Sequence, residues 1–355
     1  MACDAIIEQQ ATQTVREIAR AVNAETWPGD GMTQTVSREC IDCLSVGILV
    51  ADHLCDPIER APAAGEIVFC PRLPLAIGGC ASNVAVDLAR LGVKVGVVGC
   101  VGQDYFGRFV MDTLAAAGVE VGDIRQTSDA ETSSTLIINV RGEDRRFIHA
   151  AGANAMLSAS DIPLDRVRSA KVLYVGGYFL MPALEGPPLA DLFRQARAAG
   201  VTTVLDIVMP SRADAWSQLA VVLAETDVFL PNRDEAAALT GLDDPLAQAE
   251  RFAAAGARTV VITCGAEGSV LLSGKTRLRA GTFAVEYKGG TGAGDAFDAG
   301  FIAGLLGGDD LAGCLRWGSV VGASCVRSIS ATDGVFDRAE VEAFLRRNPL
   351  RIDSV

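Results

Sequence analysis

From residue 43 onward, short β-branched apolar runs alternate with stretches of helical periodicity, and no other feature restricts the fold so much. "CLSVGILVAD" (43–52), "VKVGVVGCVG", "KVLYVGG", "TTVLDIV", "DVFLPN" and "RTVVITCG" read as buried strands, with few of the polar interruptions of a half-exposed sheet. Between them lie segments such as "ASNVAVDLARLG", whose Val84, Leu88 and Leu91 share one helical face before Gly92 ends it. Such alternation implies right-handed crossovers and a sheet covered on both faces. The expected fold is α/β, a three-layer α/β/α sandwich with a mostly parallel central sheet.

One segment departs from this rhythm. "GEIVFCPRLPLAIGG" (65–79) carries Pro71 and Pro74, which suits short edge strands rather than a central one. With "STLIINV" and "RRFIHAAG" it is expected to form a small β lid, its strands near 65–77 and 133–149. Residues 41–348 are then one domain and 349–355 a C-terminal tail. In residues 1–40, Ile6, Val15, Ile18 and Val22 suggest a modest amphipathic helix; a disordered extension, or a true start at Met32, are the alternatives.

The charge balance narrows the partners. Lys and Arg total 31 against 44 Asp and Glu, a net −13, so nucleic acid and anionic membrane surfaces are poor candidates. No run of 18 apolar residues and no basic-then-apolar leader is present. Ten scattered cysteines read as reduced thiols of a cytoplasmic protein. Cys40 and Cys43 have metal-ligand spacing, but no second pair accompanies them.

The densest chemistry lies in "GGTGAGDAFDAGF" (289–301). Phe297, Phe301, Ile302 and Leu305 follow helical spacing, so a helix starts near Gly292 to Asp295. The N–H groups of Gly292, Ala293 and Gly294 then point outward at the positive end of the helix dipole, where an anion binds well. Asp295 beside such a site makes sense as a base that takes a proton from a hydroxyl while the amides hold a transferring phosphoryl group. The competing reading is a glycine turn that only lets helices pack, with Asp295 as a cap. Asp52, ending its strand, is likewise placed for a ligand, because open α/β sheets bind beyond the carboxyl ends of their strands.

Taken with four further segments, this stretch resembles the signatures of the ribokinase-like (PfkB) carbohydrate kinases. "IGGCASNVAVDLARLGVKVGVVGCVGQDYFG" (77–107) is similar to the N-terminal signature. "RFIHAAGANAMLSASDI", "PNRDEAAALTG" and "VVITCGAEGSVLL" follow in the family's order, so the resemblance spans about residues 43–346. It implies ATP-dependent phosphorylation of a primary hydroxyl of a small sugar, with Asp295 as general base and Gly292, Ala293 and Gly294 as the anion hole. Asn232 and Glu235 would organise the Mg²⁺ and phosphate region through water, and Thr263, Gly265 and Gly268 would lie against the nucleotide. Asp52, Gly78, Gly79 and Asn83 would hold the acceptor, the two glycines by allowing its close approach to the backbone. The lids of such relatives often pair between subunits, which implies a homodimer.

Two departures qualify the resemblance. Gly289-Gly290 replaces the family's Asp-Thr, and "VRSISATDGVF" replaces a shorter loop; both loops help bind a monovalent cation in many members, so that cation is in doubt. After "KVLYV" the chain reads Gly176-Gly177-Tyr178-Phe179 where ribokinases proper place a ribose-binding glutamate. Tyr178 and Phe179 belong either to the core or to a platform for a nucleoside base. A nucleoside kinase and a non-catalytic sugar or nucleotide sensor therefore stand as alternatives. No G-x-S-x-G and no G-x-x-x-x-G-K-[ST] occurs, which removes serine hydrolases and P-loop kinases.

Overall fold

The computed structural model describes residues 40–143, 145–209 and 213–355; the N-terminal extension up to residue 39 lies outside the described residues. In chain order the elements are β1 (Cys43–Gly47), β2 (Val50–Leu54), β3 (Leu75–Gly78), α1 (Cys80–Arg90), β4 (Val95–Gly102), α2 (Tyr105–Ala116), β5 (Glu120–Thr127), β6 (Ser134–Ile138) and β7 (Arg146–Ala150). There follow α3 (Leu164–Ser169), β8 (Val172–Gly176), α4 (Pro187–Ala198), β9 (Thr202–Leu205), α5 (Ala215–Leu223), β10 (Val228–Phe229), α6 (Arg233–Thr240) and α7 (Pro245–Ala254). The last are β11 (Thr259–Thr263), β12 (Ser269–Ser273), β13 (Thr276–Ala280), α8 (Ala293–Gly307), α9 (Leu311–Cys325), α10 (Arg338–Arg347) and β14 (Ile352–Ser354).

Ten strands form the central sheet in the order β14-β13-β12-β11-β10-β9-β8-β1-β4-β5. Pairing is parallel from β11 to β5 and antiparallel from β11 to β14. Side chains of β4 show the two-residue period: Val95, Val97 and Val101 join the core under α1, α2, α8, α9 and α10, whereas Val98 and Cys100 join the core under α3 to α7. The three layers expected from strand and helix alternation are therefore present. No described helix is long and apolar enough to cross a membrane.

Three details differ from expectation. The run 43–52 is not one strand: β1 belongs to the central sheet, whereas β2 pairs with β3 and β6 in a four-stranded sheet of order β3-β2-β6-β7. The break falls at Gly47, whose φ of 148° is open to glycine and whose absent Cβ avoids the carbonyl of Gly176. Buried Asn154 holds the corner, its Oδ1 accepting from Leu49 N and its Nδ2 donating to Leu49 O, both at 3.0 Å. In the lid, only Leu75–Gly78 of the segment 65–77 is a strand, since Pro71 and Pro74 lack the N–H groups that a ladder needs. The C-terminal tail is not loose, because Ile352–Ser354 extends the central sheet beside β13.

Asn154→Ala removes both partners of a buried backbone corner, each worth about 1–3 kcal/mol when orphaned. It is expected to lower stability by about 2–5 kcal/mol, read as a fall in the urea unfolding midpoint.

Candidate active site

Gly292 starts α8 in the left-handed region at φ 77°, a conformation that strains L side chains, and a Cβ there would run into Ala331. The tight turn brings Asp295 into the first helical turn, half-buried. Of the three expected amides, that of Ala293 makes a long 3.3 Å bond to the carbonyl of Gly290 and so is not wholly free. Gly294 is exposed, with open space where its Cβ would be. Burial raises the pKa of Asp295, opposed by hydrogen bonds from Asn83 and Cys80.

One side of the site is assembled from α1 and the small sheet. Asn83, 3% exposed, donates from Nδ2 to Asp295 Oδ2 at 2.8 Å, while its Oδ1 has no partner. Asp52 lies on β2 rather than at the end of a central strand, and the small sheet carries it to the same place. Burial lifts its pKa to about 6, the Thr135 side chain lowering it and the charge of Asp295 adding to the rise. Registers place Asp52 beside Thr135 and Thr135 beside His149, and the Thr135 hydroxyl lies 3.1 Å from His149 Nδ1. His53 packs edge-on against Phe106 at 5.2 Å. Gly78 and Gly79 were expected to admit a ligand to the backbone. Here the missing Cβ of Gly78 makes room for the Asp52 carboxylate, and that of Gly79 for the carbonyl of Ile48.

On the opposite side, Asn232 caps α6. Its Oδ1 accepts from Asp234 N and Glu235 N at 3.0 and 2.9 Å, and Glu235 Oε2 accepts from Asn232 N at 3.0 Å. Burial raises Glu235 to about 7, backbone hydrogen bonds at Asn232 and Met209 pull it down, and Asp295 pushes it up. Thr263 bridges Asn232, and the following turn is closed by Cys264 N donating to Gly268 O at 2.8 Å. Gly265, at φ 54°, faces open space.

The structure adds groups that the motif reading passed over. Asp206 directly follows β9, on the strand-end rule that selected Asp52, and Asp298 lies one turn after Asp295. Both are buried, with proton affinities raised by burial and by neighbouring carboxylates. Tyr174 donates to Asp298 Oδ2 at 3.2 Å. Arg145, from the β6–β7 connection, would lie with Nη1 2.7 Å from a Cβ at Gly290, so the glycine departure makes room for this guanidinium. Nothing in the bare motifs points to it. Tyr178 and Phe179 are core residues, 0% and 3% exposed; the Tyr178 hydroxyl accepts from Gly186 N at 2.7 Å and donates to Gln218 O at 3.0 Å. The Glu235 carboxylate is a hard oxygen donor, which fits Mg²⁺ held through water.

A carboxylate at a helix N-terminus, Asp295, thus meets the polar groups Asn83 and Asp52 near the carboxyl ends of the parallel strands. The sequence model of the pfkB family of carbohydrate kinases matches residues 41–337. A ribokinase of Haemophilus influenzae is 30% identical over 307 residues, covering 84% of this chain and 97% of that protein. A 5-dehydro-2-deoxygluconokinase of Clostridium tetani is 27% identical over 325 residues, 87% of this chain and 94% of the relative. The solved Arabidopsis thaliana ribokinase complexed with ribose and ATP superimposes with a TM-score of 0.76 at 24% identity, covering 87% of this chain and 99% of that one. The chain belongs to the pfkB family of carbohydrate kinases.

Proposed function

We propose that this sugar kinase transfers the γ-phosphoryl group of ATP to a primary hydroxyl of a small sugar, with Asp295 as the general base. The observation that carries the reading is the position of Asp295, which the α8 turn places beside the Gly292–Gly294 amides and which Asn83 holds by a 2.8 Å hydrogen bond. Asp52 and Asn83 hold the acceptor's other hydroxyls. Asp295 takes the proton of the attacking oxygen, and the helix N-terminus meets the charge that develops on the phosphoryl oxygens. Glu235 would hold Mg²⁺ through water, and the bound metal offsets phosphate charge. Arg145 offers a fixed positive charge next to Gly290, on the loop where the family's Asp-Thr is missing. The burial of Tyr178 and Phe179 removes the feature that favoured a nucleoside acceptor.

The lid supports pairing of two copies. Phe69 is 89% and Ile148 63% exposed, with Ile67, Leu73 and Phe147 also in the open, a patch that a second lid would cover. The described cysteines are all free thiols, which supports a reducing, cytoplasmic setting.

Asp295→Asn is expected to lower kcat by about 10²- to 10⁴-fold with little change in the KM for ATP, measured by coupled ATP consumption over a panel of sugars. Retained turnover would remove Asp295 from the base role. Asp52 works against folding. Its folded pKa of about 6 exceeds an unfolded value of about 3.9, so the folded state binds more protons between them and stability falls as pH rises through that window. Asp52→Asn should therefore raise the thermal midpoint at pH 8 while raising the acceptor KM about 10- to 100-fold. Light scattering should find a dimer for the wild type and a monomer for Phe69→Asp combined with Ile148→Asp; a monomeric wild type contradicts the pairing.

A further inference from the structure

Cys80 opens α1 immediately after the Gly78–Gly79 turn and is 7% exposed. Its thiol faces the carboxylates of Asp206 and Asp295, and burial together with their charge raises its pKa well above the usual thiol value. The Sγ and one oxygen of each carboxylate lie within 4.8 Å of one another, and no other such trio of Cys, His, Asp or Glu occurs among the described residues. Asn83 flanks the same point: its Nδ2 is bound to Asp295, and its buried Oδ1 has no hydrogen-bond partner. A thiol and two carboxylates thus converge from α1, the end of β9 and the start of α8, and Asn83, bound to one of those carboxylates, carries an amide oxygen with no partner among the described residues.

This donor set does not suit Mg²⁺, which takes oxygen ligands in a near-octahedral shell. It suits a borderline or soft divalent ion, for which thiolate is a preferred ligand and four-coordination is usual. Bonds of about 2.0–2.3 Å at tetrahedral angles put ligand atoms about 3.5 Å apart, so a contraction of about 1 Å closes the trio. We propose that Cys80, Asp206, Asp295 and the Oδ1 of Asn83 form an inhibitory site for a thiophilic divalent cation, Zn²⁺ being the natural occupant. The inhibitory part rests on the reading of Asp295 as the base.

Binding is a simple exchange. The thiol of Cys80 loses its proton to solvent, its sulfur lone pair forms the bond to the metal, and each carboxylate donates one oxygen. Nothing is oxidised or reduced. The oxygen of Asp295 that would take the acceptor's proton is then held by the metal, so inhibition competes with the sugar rather than with ATP. Excess Mg²⁺ does not relieve it, because Mg²⁺ gains little from the thiolate.

The test uses the reduced, metal-free full chain titrated with Co²⁺, whose bonding to a thiolate gives a near-ultraviolet charge-transfer band. One equivalent of Co²⁺ should raise the band, and Zn²⁺ should discharge it. Cys80→Ala and Cys80→Ser should both lack it. Against each protein's own uninhibited rate at saturating Mg²⁺–ATP, the Zn²⁺ inhibition constant should weaken about 100-fold in both variants. Zn²⁺ should raise the thermal midpoint of the wild type and leave those of the variants in place. A wild type without the band overturns the site, as does a band that survives in Cys80→Ala, which would belong to another cysteine. Inhibition that competes with ATP overturns the proposed mode. Failure to phosphorylate any sugar counts against the kinase reading instead, and the cobalt band then decides the site by itself.

Discussion

Asp295 is close enough to Asp52, Asp206, Glu235 and Asp298 to raise the proton affinity of all four, and the surrounding structure is arranged to hold these five carboxylates together. Left alone, such a group would relax by protonation or by opening. Fixed dipoles oppose that: the N-terminus of α8 beneath Asp295, the amide of Asn83, the hydroxyls of Thr135 and Tyr174, and the backbone N–H groups at α6. They hold the groups in place without cancelling the charge. The remaining negative potential suits a hydroxylated acceptor and a metal-bound nucleotide, both of which bring the missing donors and positive charge.

Two well-packed layers make this tolerable. The cores on the two faces of the central sheet include fully buried Phe193, Phe229, Phe252 and Phe301. The acidic groups lie at the carboxyl ends of the strands, outside that apolar bulk, where parallel sheets leave room for ligands. The lid is the opposite case. Its own cluster is small, built on Cys55, Ile58 and Val140, and much of its apolar surface is exposed. Such a sheet is better held by what it closes upon than by its own core.

The layers were legible because strand and helix periods alternate over most of the chain, and the α8 turn because Gly292 must adopt a positive φ. The corner at Gly47 was not. An apolar run shows no break where the chain changes sheets, and the residue that fixes the corner, Asn154, is 105 positions away. Gly78 and Gly79 were recognised as sites of close approach, yet what approaches is Asp52 and Ile48, because a sequence shows the missing Cβ but not which atom uses the space. Asn232 and Glu235 illustrate a shared role: they form a capping box at the start of α6, and Glu235 is close enough to Asp295 for its proton affinity to rise. Asp206 also stands at a strand end, but in "TTVLDIV" the apolar run continues past it, so the end of β9 is not visible in the sequence. Arg145 and the trio around Cys80 come together only through long-range packing.

The central claim is that Asp295 receives the acceptor's proton while the Gly292–Gly294 turn holds the γ-phosphate. A crystal structure of the wild-type protein with a phosphorylatable sugar and a non-hydrolysable ATP analogue tests it most directly. The reacting hydroxyl is expected within about 2.6–3.2 Å of the Asp295 carboxylate, with the terminal phosphate against those amides. A sugar whose hydroxyl instead faces Asp52 or Glu235, or a phosphate lodged away from the start of α8, would contradict it.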